Sequence, residues 1–363
     1  MQIKDYFNSI EDPRIERSKQ HSLDTIFSLT TTTVICGIKA WEQIAMFGRL
    51  RQKELSSIID FTNGVPSHDT IERVFSLINP DAFHTCFVAW TSALYNAGNK
   101  LIAIDGKIAR RSFDTAQNKQ ALYLVNAWAS ENKLVLGQFK TQGKGHEIAG
   151  IKDLLNILDI KGSIISLDAL GCQKEIVSLI VEKKADYIIA VKDNQEQLRN
   201  DITSSFSIIK AGSVAEQIEK NNGRTDVRKC TVISNLKMIE KKAEWVGVKS
   251  IIQIESKRMI SDKEQTQVRY YISSLEKPAD EFNKLIRSHW GIENSLHWIL
   301  DMNFDEDKSR KRKGHSSQNF ALVNKVAINL LNEDKETKLS MTHKKLKANY
   351  DIDYVKRLIN FDA

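Results

Sequence analysis

At residue 101 the apolar pattern of the chain changes from helical spacing to short apolar runs, and that change constrains the fold more than any other feature of the sequence. LIAIDG, ALYLVNAWAS and LVLGQFK follow one another with polar or glycine-bearing breaks between them, which predicts three consecutive strands. EIAGIKDLLNIL then has helical spacing, SIISLDA reads as a buried-type strand, KEIVSLIVEKK as a helix and YIIAVKD as another short strand. The order β-β-β-α-β-α-β requires a mixed sheet with helices on its faces, an α/β architecture.

A ribonuclease-H-like core has that order, and residues 99–194 read as its first part. Residues 1–98 read as an all-helical module, with helical apolar spacing from residue 22 onward and a break at NGVPSHD. Asp69 is expected to cap the next helix and Glu72 to close a capping box. Helix, turn and capped helix suit either an ordinary helical hairpin or a DNA-reading unit with Arg49, Arg51, Lys53 and Arg73 as its basic surface. Residues 195–275 read as an inserted, β-rich segment: a helix in NQEQLRNDITSSFSII, then strands near VRKCTVIS, SIIQIESKR and QVRYYISSL. Residues 276–363 read as helical completion of the core, carrying the basic run KSRKRK and a lysine-rich tail.

Composition adds only outer bounds. Apolar residues at 41% and charged residues at 27% are those of a folded globular chain, and a net charge of +7 leans toward polyanionic partners. Cys36, Cys86, Cys172 and Cys230 form no CxxC pair, so neither a zinc site nor a disulfide framework is expected. The opening MQIKDYFNSIEDPR has no signal-peptide core and no stretch approaches a membrane span, so a soluble cytoplasmic protein without membrane contact is expected.

Asp105, in IAIDGK, is expected where the first strand ends, with Gly106 turning the chain away and leaving the carboxylate at the sheet edge. Asp168, in ISLDALG, holds the matching place on a later strand. Each aspartate alone is an ordinary strand-end turn former. Together they are a candidate metal site, because neighbouring buried carboxylates repel unless a cation neutralises both, and oxygen-only ligands suit Mg2+ or Mn2+. In RSHWGIENSLHW, His289, Glu293 and His297 are spaced by four and are expected on one helix face beside an apolar stripe of Ile292, Leu296 and Ile299. Trp290 and Trp298 suit core packing or stacking on an unpaired base. The chain has no His-x-His, His-x-x-Arg, G-x-S-x-G, Walker or dinucleotide motif, which leaves metal–carboxylate chemistry.

These residues resemble the DDE insertion-sequence transposases, within them the group that includes the H-repeat-associated proteins. The resemblance rests on EDPRIERSKQHSL, FGRLRQKEL, NGVPSHDTIERVFSLINP, AIDGKIARRS, LVNAWAS, SLDALGCQKEI, ADYIIAVKDNQ and HWGIENSLHWILDMNFDED, in that order along most of the chain. It implies a ribonuclease-H-like core with a β insertion before the third acid, and Asp105, Asp168 and Glu293 as a triad holding two Mg2+ or Mn2+ ions. It implies double-stranded DNA as partner, both the element's terminal inverted repeats and the target, with no small-molecule substrate. A homodimer is expected from a reaction that holds two ends together. Lys107, Arg110, Arg111, Lys308, Arg310, Lys311, Arg312 and Lys313 are candidates to neutralise phosphates, and His289 or His297 to position a phosphate or a water. The related Tyr-Arg-Glu-Lys signature is altered here, reading Ile286, His289 and Leu300 around Glu293, which leaves the excision route open. A catalytically silent DNA-binding relative and a cellular nuclease of the same core fold are the alternatives, separable by cleavage and joining of the element's own ends.

Overall fold

A computed structural model of the chain describes residues 3–95, 100–113, 120–141, 143, 145–221, 224–260 and 263–360. The boundary expected between residues 98 and 99 lies outside them. The helices before the first strand are α1 (Ile3–Phe7), α2 (Leu23–Ile35), α3 (Trp41–Leu50), α4 (Gln52–Leu55), α5 (His68–Leu77) and α6 (Pro80–Leu94). The cap of α5 is Ser67 rather than Asp69: its hydroxyl accepts the Thr70 N–H at 3.2 Å. Asp69 therefore lies in the first turn, where a carboxylate meets the positive end of the helix dipole.

The sheet is assembled from β1 (Leu101–Ala109), β2 (Leu122–Ala129), β3 (Leu134–Thr141), β4 (Ile164–Leu167) and β5 (Asp186–Val191), with α7 (Glu147–Ile157) before β4 and α8 (Lys174–Glu182) before β5. After α9 (Glu196–Ile208) come β6 (Ser213–Asn221), β7 (Arg224–Ile233), β8 (Ser250–Ile260) and β9 (Lys263–Ser273). The order across the nine strands is β3-β2-β1-β4-β5-β9-β8-β7-β6. The first five carry the ribonuclease-H-like arrangement, antiparallel from β3 to β1 and parallel from β1 through β4 to β5. The helices α7 and α8 supply the crossovers that parallel neighbours need. The β-rich segment does not form a sheet of its own: β9 pairs with β5, and three further antiparallel strands widen the same sheet. Its outermost strand, β6, had no apolar alternation to announce it, as befits an edge strand with charged side chains.

Strand alternation sorts the faces. Ile102, Ile104, Val125, Ile165, Leu167, Tyr187 and Ile189 point to the face covered by α7 and α8. Leu101, Ile164 and Ile188 point the other way and join Cys230, Val232, Ile252, Ile254 and Tyr271 under α10 (Ala279–His289), whose Ala279, Phe282 and Ile286 recur at helical spacing. A π-helical turn (Ile292–His297) and α11 (Trp298–Met302) carry the chain onward across β1, followed by α12 (Ser316–Glu333), α13 (Met341–Tyr350) and α14 (Ile352–Ile359).

Helix α12 is buried on nearly all sides and ties the two regions together. One core contains Phe27, Phe83 and Trp90 of the front helices, Trp128 and Val135 of the sheet, and Phe320, Val323 and Leu330 of α12. Packing therefore runs across the boundaries expected at 98/99 and 275/276. Asn329 in α12 accepts the Val135 N–H at 2.8 Å and donates to its C=O at 2.9 Å, satisfying backbone groups of β3, the sheet's other edge strand. Among the described residues no helix is long and apolar enough to cross a membrane. All four cysteines are buried and unbridged.

Candidate active site

The parallel register of β1 and β4 pairs Leu101 with Ile164, Ala103 with Ser166 and Ile104 with Leu167. One step beyond, Asp105 and Asp168 occupy matching positions on the face that α10 covers. The structure corrects the expectation for Asp105 in one respect. Its strand does not end there: β1 continues through Gly106 to Ala109, still paired with β2, and it is β4 that leaves the sheet after Leu167. Asp105 becomes accessible because its neighbour departs. Gly106 serves a close approach instead of a turn, since a Cβ there would lie 2.5 Å from the Tyr123 hydroxyl oxygen.

Asp168 caps the short 3-10 turn Ala169–Gly171, its Oδ1 accepting the N–H groups of Leu170 at 3.1 Å and Gly171 at 3.4 Å. Burial raises its pKa, the two N–H groups and the charge of Lys192 oppose the rise, and the Glu147 carboxylate adds to it. Asp105 is displaced further, from 3.8 up to about 7. Desolvation is the largest cause, offset in part by a hydrogen bond from the Gly106 N–H and reinforced by the charges of Asp168 and Glu293. The three acids named from the sequence thus act electrostatically on one place.

Glu293 reaches that place through an unusual helix. The Trp298 N–H bonds back to the Glu293 C=O, five residues away, inside the π-helical turn. In a regular α-helix, residues four apart drift by about 40° around the axis. The widened turn reduces this drift, so Ile292, Leu296 and Leu300 all stay fully buried, and Glu293, His297 and Asp301 form a parallel row beside them. His297 Nδ1 is 3.7 Å from Asp105 Oδ2, and Asp301 pairs with Lys107 at 2.6 Å. The contact between His297 and Asp105 is not an ion pair: burial, with help from the charges of Lys107 and Lys325, lowers the imidazole pKa to about 3. His289 does not share the open side of this row. Its Nδ1 lies 2.9 Å from the Ser166 hydroxyl and burial lowers its pKa to about 4, so it is packed between α10 and β4.

The basic residues divide. Lys107 is 8% exposed and turned into a buried charge cluster, with Asp301 at 2.6 Å, Asp307 at 3.3 Å and Glu306 at 3.6 Å. Strand alternation puts it on the face of Asp105 but under α11, where three carboxylates occupy it. Lys325 of α12 lies in the same cluster, 3.8 Å from Glu306. Lys311 also faces inward, its Nζ 3.9 Å from the Phe320 ring centroid and donating to the Lys39 C=O at 2.6 Å, and burial lowers its pKa to about 8. Lys107 and Lys311, both expected to neutralise phosphates, thus have their charged ends engaged within the protein. Arg110 is exposed and pairs with Asp307, Arg111 is exposed, Lys308 pairs with Asp305, and Arg310 and Lys313 are exposed. Arg312 lies over the Phe113 ring and donates to the Arg111 C=O. Trp298 is 54% exposed, whereas Trp290 is covered by the Arg269 guanidinium, 4.5 Å from its ring centroid.

Three neighbours of the acids were not expected. Glu147, at the first position of α7, is 6% exposed, accepts the Gly145 N–H at 2.6 Å and hydrogen-bonds Tyr123. Tyr123 is raised above its ordinary pKa by burial and by the Glu147, Asp105 and Asp168 carboxylates. Lys192 follows the end of β5, the next parallel strand, and its charge acts on Asp168. Its strand-end position was the available signal, while an acid beginning a helix reads as a simple dipole partner.

The three acids offer only oxygen donors, the kind that Mg2+ and Mn2+ take, with the His297 imidazole beside them. A desolvated Asp105 pushed up further by the charges of Asp168 and Glu293 is also the arrangement a cation relieves. Among the described residues, no group of three or more His, Cys, Asp or Glu side chains is placed to hold a metal ion by itself. The acids fit an ion whose remaining ligands are water and substrate oxygens.

The family described as Transposase DDE domain matches residues 96–330, and the family described as DDE_Tnp_1-associated matches residues 4–91. Among similar proteins, the one named "Putative transposase YncI" from Escherichia coli O157:H7 is 38% identical over 98% of this chain and 94% of its own length. The "H repeat-associated putative transposase YhhI" of Escherichia coli strain K12 is 38% identical over 97% of this chain and 96% of its own. Among solved structures, a piggyBac transposase synaptic complex with hairpin DNA overlays with a TM-score of 0.46 at 11% identity, covering 99% of this chain and 78% of that one. By its two family matches and its near-full-length relatives, this chain belongs to the DDE transposase family.

Proposed function

We propose that the chain is an active DNA transposase that cleaves the ends of its element and joins them to target DNA by metal-dependent phosphoryl transfer, with Asp105, Asp168 and Glu293 as its three carboxylates. The observation that carries this reading is the matched placement of Asp105 and Asp168, each one residue beyond the last registered pair of β1 and β4, with the charge of Glu293 acting on Asp105. When bound, two Mg2+ or Mn2+ ions supply activation of the attacking oxygen and stabilisation of the leaving one in an in-line displacement. The chain's own part is to hold the carboxylates ready. Asp168 is oriented by the Leu170 and Gly171 N–H groups, and Asp105 by the Gly106 N–H. Neutral His297 beside Asp105 can orient a water or a phosphate oxygen without competing for the ions as a cation.

The partners are double-stranded terminal inverted repeats and target DNA, held by two copies of the chain in the active complex, in the cytoplasm. Arg110, Arg111, Lys308, Arg310, Arg312 and Lys313 neutralise phosphates. The test uses the purified chain, the inverted repeats that flank its gene, and Mg2+ or Mn2+. Wild type is expected to nick and join the ends, and Asp105→Ala, Asp168→Ala and Glu293→Ala each to abolish cleavage while end binding persists. Binding without any cleavage by wild type favours a catalytically silent relative. Cleavage of RNA–DNA hybrids without end joining favours a cellular nuclease.

A further inference from the structure

Beyond the acids, a cavity of about 980 Å3 opens between the β6–β9 part of the sheet and the helix that carries Glu293, which lines it. Alternation along β7 explains it. Cys230 and Val232 lie in the core beneath α10, whereas Arg224, Asp226 and Arg228 continue the same face beyond the helix and line the cavity. The register carries this split across the sheet: Arg228 is opposite Gln217 and Ser256, and Asp226 is opposite Glu219 and Arg258. Six cationic side chains line the cavity against three carboxylates, Glu219, Asp226 and Glu293.

Most of these cations are already engaged. Arg224 and Arg258 share Asp226, and Arg287 forms a two-pronged contact with Glu219. Arg269 bonds Gln267 at 2.9 Å and covers the Trp290 ring. Arg228 differs: its Nη1 is buried and has no hydrogen-bond partner. Burial and the charges of Arg287 and Arg269 hold its guanidinium below the ordinary pKa, with Tyr271 and Glu219 compensating in part. A buried guanidinium N–H without an acceptor, beside two like charges, is costly unless an anion joins it. The match is an oxyanion with several acceptor oxygens.

We propose that Arg228, with Arg269 and Arg287 beside it, forms a phosphodiester-binding subsite for the DNA strand that runs from the β6–β9 cavity to Glu293. This rests on the DNA-processing reading above and adds to it a place on the extended sheet where the substrate backbone is held. Trp290 fixes the Arg269 plane by stacking, and Glu219 fixes Arg287, so two of the three guanidiniums are pre-oriented. The partner is nucleic acid backbone because the cations outnumber the carboxylates of the lining and, apart from Val227, Trp290 and Gly291, every lining residue is charged or polar.

The experiment compares wild type, Arg228→Gln, Arg228→Lys and an outlying control, Arg199→Gln on α9, for binding to a labelled random-sequence duplex in EDTA across a salt series. Each backbone phosphate released from its counterions contributes about 0.9 to the slope of log K against log salt. Arg228→Gln is expected to lower that slope by about 1 and weaken binding by about tenfold at moderate salt. Arg228→Lys should recover the slope but only part of the affinity, because an ammonium lacks the planar fork. Thermal unfolding checks that each variant is folded; Arg228→Met, which removes the buried charge while keeping apolar bulk, serves if Gln fails to fold. An unchanged slope in a folded Arg228 variant, or an equal loss in Arg199→Gln, overturns the subsite and leaves the transposase reading standing. A wild type that does not bind the duplex at all overturns both.

Discussion

Replacing Asp105 with Asn should make the metal-free protein more stable at pH 8 while destroying its proposed chemistry. The magnitude follows from the displaced carboxyl. Its pKa lies at about 7 in the folded chain against 3.8 for an unperturbed aspartate, chiefly because the group is desolvated. An acid with a raised folded-state pKa keeps its proton in the folded chain over a range where the unfolded chain has lost it. Stability from this group therefore falls as pH rises between the two values, and above about 7 the folded state carries the whole cost of the buried charge. Roughly three pK units at about 1.36 kcal/mol each set an upper bound near 4 kcal/mol. The Asn amide must still be desolvated, and it accepts the Gly106 N–H less strongly than a carboxylate does, so a gain of about 1–3 kcal/mol is expected. Thermal unfolding in EDTA should show a higher Tm for Asp105→Asn at pH 8 and a much smaller difference near pH 5. Added Mg2+ should raise the wild-type Tm by mass action and the variant's by clearly less. A variant less stable than wild type at pH 8, or one that gains as much from Mg2+, would refute this account of Asp105.

Other expectations follow from contacts outside the acids. Gly106→Ala places a methyl group 2.5 Å from the Tyr123 hydroxyl oxygen and should cost about 1–3 kcal/mol in urea unfolding, part of it recovered in the Gly106→Ala/Tyr123→Ala double variant. Asn329→Ala removes both hydrogen bonds to Val135 and should cost about 2–4 kcal/mol by the same measurement, since it leaves a buried N–H and C=O without partners. Lys107→Met should destabilise the fold by about 3–5 kcal/mol, because Asp301, Asp307 and the buried Glu306 lose their shared cation. Equal stability of Lys107→Met with weakened DNA binding would return Lys107 to the phosphate-contacting group.

The legible part of this molecule was the part governed by periodicity. The three-strand meander and the two helix-linked strands followed from runs such as LVLGQFK and KEIVSLIVEKK, and the matching strand positions of Asp105 and Asp168 followed with them. Strand β6 was illegible because an edge strand needs no buried face, and SVAEQIEKN has little apolar alternation to show. The cap of α5 was misplaced by two residues because Ser67 and Asp69 are both good caps and only the backbone decides between them.

The placement of Lys107 was illegible for a different reason. A lysine two residues after a candidate metal ligand suggests a phosphate contact, yet period-two alternation already puts it on the face that a helix must cover. What could not be read from spacing was that the covering helix presents its own acids there. Asp301 lies four residues beyond His297 and eight beyond Glu293, so the row that brings Glu293 toward Asp105 also brings Asp301 to Lys107. The ion pair is thus an anchor between the strand of the first acid and the helix of the third. Lys107 belongs to the site by fixing how those two elements meet, and the charge that looked available for substrate is spent on that alignment.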